Sequence, residues 1–455
     1  MYSSAEAPLL PARGKDSSHD EKRRRWWREA VEESGRLVAL AAPMIAVGLL
    51  QLTMQLISTM MVGHLGEVAL AGAAMANSLT AVSGFSILIG LATGLETICG
   101  QAYGAEQYHK LSLYTYRSII VLFASVPIAI LWVFIPGVLP LIGQEPQIAN
   151  EAGKYALWLI PGLFAFSVAQ CFSKFLQCQS LIFPMVLSSL ITLSVFIPLC
   201  WFICVCDWVE VTVLGLYIKF SPSCEKTRAP LSWEAFKGIG SFMRLAVPSA
   251  LMICLEWWSM ELLVLLSGIL PNPALETSAL SICISTGVLL QNLPYGIGTA
   301  ASVHVSNELG AGNPNGARLV VGVALSIVAS LRHFIGIAFS NEEEVINYVT
   351  RMVPLLSISF ITDSLQAVLS GVARGGGWQH LGAYVNLGAF YLVGIPVALF
   401  FGFAMQLRGL GFWIGMIAGG ATQVTLLSVI TATTKWDKMA DKAKERVFDD
   451  RLPTQ

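Results

Sequence analysis

Twelve apolar segments, eleven long and one short, constrain the fold of this chain more than any other feature of its sequence. Most match the helix of about 20 residues that crosses a ~30 Å hydrocarbon core. Inside that core every backbone polar group needs a protein partner, which an α-helix supplies from its own residues. The sequence therefore predicts an all-α polytopic membrane protein with about twelve transmembrane helices. The segments lie near residues 37–62, 68–93, 113–138, 155–177, 182–206, 209–220, 240–268, 278–301, 318–340, 345–371, 382–404 and 409–432.

The composition of the 455-residue chain argues against several other classes of protein. Charged residues make up 13% of it, whereas soluble domains average about 25%. Basic residues do not alternate with aromatic ones inside any folded segment, so we expect no nucleic-acid partner. The nine cysteines show no spacing typical of a metal site, and we expect neither a metal nor a cofactor.

The basic residues indicate how the segments are oriented. If the N-terminus is cytosolic, 24 of the 28 Lys and Arg residues fall in tails and loops on the cytosolic side. Such an excess is typical of cytoplasmic loops. The first 30 residues are polar and lack the apolar region and cleavage site of a signal peptide. We therefore predict an integral multi-pass protein with both termini in the cytosol.

The two halves of the sequence repeat each other. Pro43 and Pro248 lie 205 positions apart, and Gly104 and Gly310 lie 206 apart, at matching places in the series of spans. Because both halves begin on the same side, they are parallel repeats. We predict two homologous six-helix lobes. The predicted divisions are a cytosolic N-terminal tail at 1–35, an N-terminal lobe at 36–220, a cytosolic linker at 221–237, a C-terminal lobe at 238–433 and a cytosolic C-terminal tail at 434–455.

The offset between the repeats changes at two places. It falls to 193 between Pro161 and Pro354 and rises to 213 between Glu210 and Gln423. These changes correspond to residues missing from the ninth helix and from the start of the sixth helix. Residues 208–220 alone would span only about 20 Å at 1.5 Å per residue. We therefore predict a truncated sixth helix and a shortened ninth helix.

Two acidic residues lie deep inside the apolar segments of the second half. Glu256 follows Arg244 by 12 residues, a depth of about 18 Å, and Asp363 precedes Arg374 by 11 residues, about 16 Å. A carboxylate at that depth costs about 2.5–3.5 kcal/mol. Desolvation favours the neutral form of such a group, which suits it to take up a proton. The alternative is a carboxyl group that only hydrogen-bonds a neighbouring helix. We predict that Glu256 and Asp363 bind protons.

The repeat also predicts where substrate binds. The positions that correspond to the two acids are Gln51 and Gln170, whose amides cannot titrate, so proton binding belongs to the second half. Other deep polar or aromatic residues could line a cavity, or simply bond and pack between helices. Trp257 could hold an organic cation against its ring face, and a helix break after Pro294 would free backbone carbonyls. The substrate-binding candidates are Gln51, Asn77, Trp257, Gln291, Asn292, Tyr295, Asn386 and Tyr391.

Four long stretches of the chain have a specific sequence: LETICGQAYGA at 95–105, CLEWW at 254–258, SNELGAGNP at 306–314 and VLSGVARGGGWQ at 368–379. They resemble plant members of the multidrug and toxic compound extrusion family, the detoxification proteins. The resemblance covers about residues 35–435. It implies two six-helix lobes around a central cavity and export of organic compounds, often cationic or flavonoid-like, in exchange for protons.

The resemblance also bears on single residues. Plant members of the family use acidic residues of the C-terminal lobe for the proton, and Glu256 and Asp363 match those positions. Many prokaryotic members carry an aspartate in the first helix where this chain has Ser58, and His304 stands where an arginine is usual. We expect a monomer in the plasma or vacuolar membrane that handles protons, a small organic substrate and surrounding lipid, and that is not an enzyme.

Three alternatives to an antiporter stay open from the sequence. One is a flippase for lipids or lipid-linked glycans, which would favour several inward arginines. Another is a membrane-embedded enzyme, although the six histidines lie mostly at loop ends. A third is a non-transporting truncated isoform, which the two shortened helices favour.

Overall fold

The computed structural model describes residues 15–141, 145–199, 203–267, 270, 273–335 and 344–448. These residues are almost entirely helical, with no strand among them. Nine helices belong to the first half of the chain. They are α1 (Lys15–Gly63), α2 (Glu67–Thr80), α3 (Ser86–Gly104), α4 (Tyr108–Phe123), α5 (Val126–Val133), α6 (Ile135–Leu141), α7 (Pro146–Cys178), α8 (Phe183–Leu199) and α9 (Ile203–Phe220).

Eight further helices follow in the second half. They are α10 (Ile239–Ser267), α11 (Pro273–Gly310), α12 (Pro314–Ile335), α13 (Glu344–Gly376), α14 (Gln379–Asn386), α15 (Ile395–Leu399), α16 (Gly409–Thr433) and α17 (Trp436–Phe448). Wider π-helical turns at Ala81–Phe85, Leu387–Gly394 and Phe400–Ala404 continue α2 into α3 and extend α14 and α15. Such turns frequently mark functional regions in helical proteins.

The prediction of an all-α polytopic membrane protein is confirmed. Among the described residues, eight helical segments are long and apolar enough to cross a membrane, and two shorter apolar helices accompany them. Many of their large apolar side chains are exposed on the outside of the bundle, as a lipid environment requires. The eight are 24–63, 67–104, 108–133, 146–178, 239–267, 354–376, 379–404 and 409–433.

The sixth helix is longer than the sequence pattern predicts. α9 begins at Ile203 and has 18 residues, about 27 Å at 1.5 Å per residue. The apolar pattern predicts that residues 203–206 belong to the preceding span, because an apolar run does not show where one helix ends and the next begins. The ninth helix, α12, has 22 residues, about 33 Å. Residues 336–343, which follow α12, lie outside the described residues.

Small residues join the two halves of the bundle along α3 and α10. A Cβ atom at Gly94 would lie 2.8 Å from the Cα of Ala246, and Gly90 faces Ala250 as closely. Helices approach this closely only where side chains are minimal, and such contacts are common inside membranes. α3 therefore lies directly against the second half of the chain.

Small residues also pack α11 against α13. Gly298 lies against the carbonyl of Ala367, Gly371 against the carbonyl of Gly298, and Gly375 against the carbonyl of Ser302. A side chain at these glycines would meet backbone atoms of the facing helix, which cannot move aside. This close approach places polar side chains of α11 within hydrogen-bond reach of α13.

Candidate functional site

A small cavity lies among α10, α11 and α13 and reaches α3. Its free volume is about 60 Å³, enough for several water molecules. Carboxyl, amide, hydroxyl and guanidinium groups line it together with aromatic and aliphatic side chains. The lining residues are Ile89, Ile253, Glu256, Trp257, Gln291, Tyr295, Asp363, Gln366, Ala367, Ser370 and Arg374.

Asp363 lies between this cavity and a second one of about 30 Å³. Its Oδ2 accepts a hydrogen bond of 3.0 Å from Nε2 of Gln291 and another of 3.0 Å from Oγ of Ser359. Gln291 comes from α11, whereas Ser359 lies one turn earlier on α13 itself. The carboxyl group is thus held by two donors and has water-sized space on both sides.

Glu256 projects from α10 into the same cavity as Asp363. The amide side chains of Gln366 and Gln423 lie beside its carboxyl group. Gln423 also donates a 2.7 Å bond from Nε2 to Oδ1 of Asn386. The two acids therefore share one cavity, and amide side chains surround both of them.

The structure brings together five of the residues that the sequence predicts for the site. Glu256, Trp257, Gln291, Tyr295 and Asp363 all line the cavity. Trp257 and Tyr295 keep 38% and 46% of their surface exposed, so these two lining residues are only partly covered by the protein.

The other candidates do not line this cavity. Asn386 is fully buried, and its Nδ2 donates a 2.6 Å bond to the carbonyl of Met252. Gln51 is exposed on α1, and Asn292 faces Gly48 of α1. Asn77 lies half-buried on α2, and Tyr391 lies near Cys254.

The expected helix break after Pro294 does not occur. α11 continues through Pro294 as one helix from Pro273 to Gly310. A proline removes one backbone hydrogen bond but does not always end a membrane helix, because neighbouring groups can replace that bond. The irregular turns lie elsewhere, in the π-helical segments.

A buried ionic cluster near the cavity was not predicted as a site. Glu96 of α3 accepts bonds from Lys174 Nζ at 2.5 Å, Ser302 Oγ at 3.0 Å and Arg374 Nε at 3.3 Å. Glu96 is 1% exposed. Glu96 lies three residues beyond the predicted segment 68–93, and Lys174 lies near the end of the segment 155–177. The depth argument that singles out Glu256 therefore does not apply to either residue.

The C-terminal helix α17 covers the end of the bundle next to this cluster, which we call the α17 face. Arg446 donates to Oε1 of Gln101 at 3.3 Å and to the carbonyl of Gly377 at 3.0 Å. Lys110 of α4 donates to the carbonyl of Val447. Burial lowers the pKa of the Arg446 guanidinium, an effect that Glu445 partly offsets. α17 therefore contacts both halves of the chain at one face.

Comparison with known proteins identifies the family. The MatE family profile matches residues 43–202 and 248–400, more than half of the chain. The chain belongs to the MatE family. The resemblance on which the sequence analysis relied is therefore confirmed.

Similar MatE proteins cover almost all of this chain. Protein DETOXIFICATION 14 of Arabidopsis thaliana is 50% identical over 447 residues, which cover 92% of each chain. Protein DETOXIFICATION 12 of the same plant is 48% identical over 442 residues, 91% of this chain and 92% of that protein. MatE membership makes this chain a multi-pass membrane protein of an efflux-transporter family.

Solved structures of MatE transporters share the fold. The crystal structure of the eukaryotic MATE transporter AtDTX14 matches with a TM-score of 0.87 and 49% identity, covering 92% of this chain and 100% of that chain. The Vibrio cholerae MATE transporter VcmN in its bent form matches with a TM-score of 0.73 at 16% identity, covering 92% and 99%. The second match supports the fold alone.

Proposed function

We propose that this MatE protein is a proton-coupled antiporter that exports organic compounds, often cationic or flavonoid-like, from the cytosol by alternating access. Glu256 and Asp363 carry the coupling protons. The observation that carries this proposal is that both carboxyl groups line one cavity. Membership in the MatE family supports an efflux function. The cavity that the two carboxyl groups share supports the coupling of efflux to protons.

Protonation changes the contacts of this cavity. Asp363 accepts hydrogen bonds from Gln291 on α11 and Ser359 on α13. A neutral carboxyl group is a weaker acceptor than a carboxylate, because bonds to charged groups are the stronger ones. Protons taken up from the acidic side therefore weaken the connection of α11 to α13. The second half repacks, its hold on the substrate weakens, and the substrate leaves. The cavity then reopens inward and releases the protons to the cytosol.

The substrate binds beside the acids in a wider state of the cavity. The present free volume of about 60 Å³ accommodates water, whereas sites for drug-sized molecules are several times larger. Trp257 and Tyr295 line the cavity and are only partly covered by the protein. Aromatic faces attract organic cations and stack against planar aromatic compounds. These two residues are the substrate contacts that we favour.

The orientation follows from the charges of the loops. The excess of basic residues supports a cytosolic location for both termini, and the α17 face is then the cytosolic face of the transporter. We propose that a monomer is sufficient for transport. The surrounding membrane is the plasma or the vacuolar membrane, and in both cases protons enter from the acidic, non-cytosolic side.

Transport by purified protein in lipid vesicles tests the proposal. Vesicles with an acidic lumen should accumulate the organic cation tetraphenylphosphonium, and an ionophore that collapses the pH gradient should release it. Glu256→Gln removes one titrating group but keeps its size, and we expect a loss of about tenfold or more in proton-driven accumulation.

Glu261→Gln is the matched control. Glu261 lies on the same helix, but its Oε2 accepts a 2.8 Å bond from Ser78, and it does not line the cavity. We expect this variant to transport as the unmodified chain does. Equal accumulation by Glu256→Gln and the unmodified chain would refute the assignment of Glu256.

A further inference from the structure

Arg374 lies at the junction of two buried sites. Its Nε donates to Oε2 of Glu96 at 3.3 Å, and its side chain also lines the cavity of Glu256 and Asp363. Arg374 is only 4% exposed. One guanidinium group is therefore shared between the cavity and the ionic cluster of Glu96, Lys174, Ser302 and Arg374.

The ionic cluster connects the two halves of the chain. Glu96 lies on α3 and Lys174 on α7, both in the first half, whereas Ser302 on α11 and Arg374 on α13 belong to the second half. Thr97 adds a 2.6 Å bond to the carbonyl of Arg374. The cluster lies toward the α17 face, so it closes the bundle at that end.

Close helix packing continues this closure toward the α17 face. Gly104 of α3 lies against the carbonyl of Asn307 on α11, and Gly310 lies against the carbonyl of Gln101. Ser306 is fully buried opposite Gly100. An opening at this face must therefore separate α3 from α11 and break the bond between Glu96 and Arg374.

We propose that Arg374 couples the protonation of the cavity to the closure of the α17 face. When Glu256 and Asp363 are ionised, they balance the charge of Arg374, and the cluster holds α3 against α13. When both are protonated, Arg374 and Lys174 share the single carboxylate of Glu96. Two like charges in a medium of low dielectric constant repel strongly, so the contact weakens and the face opens.

This inference rests on the proposed antiport. The direction of the expected change, opening of the α17 face on protonation, agrees with the transport cycle proposed above. Protons bound from the acidic side release the closure on the opposite side, so the protonated carrier turns inward. Arg374 is a positioning residue in this scheme, because it acts through Glu96.

The effects of other charged groups around the cluster have to be distinguished from the effect of Arg374. The Nδ1 of His304 on α11 lies 2.7 Å from Oε1 of Glu33 on α1. His304→Gln removes this second polar contact between the halves and therefore serves as a control. The remaining titratable or charged side chains nearby are Tyr295 of α11, His380 of α14, and Lys442 and Arg446 of α17.

The test measures how often the α17 face opens, without substrate or gradient. The Ser306→Cys variant is treated with a membrane-impermeant maleimide. Mass spectrometry of the peptide that contains residue 306 gives the rate of alkylation. A cysteine at the exposed linker residue Ser232 provides the reference rate at each pH. With Arg374 present, the alkylation rate at residue 306 relative to residue 232 should be at least about 5-fold higher at mildly acidic than at mildly alkaline pH. A factor of about five is the lower end of typical coupling between two sites.

Charge variants distinguish coupling from a structural role. Arg374→Gln should abolish the pH dependence of labelling, Arg374→Lys should restore its direction, and His304→Gln should leave it unchanged. Glu96→Gln should give fast labelling at both pH values, because two cations lose their shared carboxylate. Lys174→Gln should give slow labelling at both, because one cation then faces one carboxylate.

Three outcomes would overturn the inference: no pH dependence with Arg374 present, a dependence of opposite sign, or a dependence that persists in Arg374→Gln. The transport assay separates this failure from that of the proposed function. Transport that depends on Glu256, with a pH response unchanged in Arg374→Gln, would refute the coupling alone. If the pH dependence of labelling requires Arg374 but transport does not depend on the proton gradient, the antiport alone would be refuted.

Discussion

At the scale of single residues, Glu96 is the most constrained acid among those described. It accepts bonds from two cations and a hydroxyl group while being 1% exposed. A buried charge is tolerated only when its partners offset the loss of hydration. Glu256 and Asp363 differ from Glu96 in that amides and a hydroxyl surround them rather than a direct ion pair. This difference agrees with the proposal that Glu256 and Asp363, rather than Glu96, exchange protons.

The stability of Glu96 variants tests that distinction. Glu96→Gln leaves Lys174 and Arg374 without a carboxylate, and we expect the free energy of unfolding to fall by about 3–5 kcal/mol. Thermal unfolding in detergent, followed by tryptophan fluorescence, measures the change. Glu225→Gln, at an exposed position of the linker, should leave the melting temperature unchanged. A melting temperature of Glu96→Gln equal to that of the unmodified chain would show that the cluster adds nothing to stability.

At the scale of secondary-structure elements, the packing of α11 on α13 forms the candidate site. Gly298, Gly371 and Gly375 bring the two backbones together, and the bond from Gln291 to Asp363 depends on that approach. The C-terminal helix α17 is a second such element. The sequence predicts a plain cytosolic tail after residue 433, whereas Trp436, Ala440, Ala443 and Val447 form a buried stripe on α17.

Two glycine substitutions on this helix pair should have opposite effects. At Gly371 a methyl group would collide with the carbonyl of Gly298, whereas at Gly287 it meets nothing within 4 Å. We expect Gly371→Ala to lower the melting temperature and proton-driven transport. Gly287→Ala should raise the stability by about 0.5–1 kcal/mol, because alanine favours the helix. The same unfolding and transport assays measure both, and similar behaviour of the two variants would contradict this account of the packing.

At the scale of the whole molecule, the short sixth helix decides between an active transporter and a truncated isoform. α9 is about 27 Å long, slightly less than a ~30 Å core. A deficit of this size can be met by local thinning of the bilayer at modest cost. We therefore expect the chain as it stands to transport.

Extending the sixth helix tests this expectation. A version that copies residues 407–421, the matching region of the second half, into the start of α9 should transport within about a factor of two of the unmodified chain, since mismatch costs only fractions of a kcal/mol per Å. Accumulation of tetraphenylphosphonium in the vesicle assay gives the comparison. Transport by the extended version alone would identify the natural chain as a non-transporting form.

Several features of this protein follow from local sequence alone. The membrane helices are predictable because apolar length is a property of consecutive residues. The depths of Glu256 and Asp363 are predicted from the rise per residue of a helix, and the comparison of the repeats predicts proton binding in the second half. These inferences need only distance along one helix, which the order of residues specifies directly.

Other features depend on which helix faces meet. Asn386 and Gln51 are polar and deep in the sequence pattern, yet one is fully buried and the other is exposed. Gln366 lines the cavity although no pattern singled it out. Glu96 and Arg374 are 278 residues apart in sequence and meet only because α3 packs near α13 in the folded chain. Position around the bundle depends on contacts between distant residues, so only the tertiary structure decided the lateral arrangement of the site.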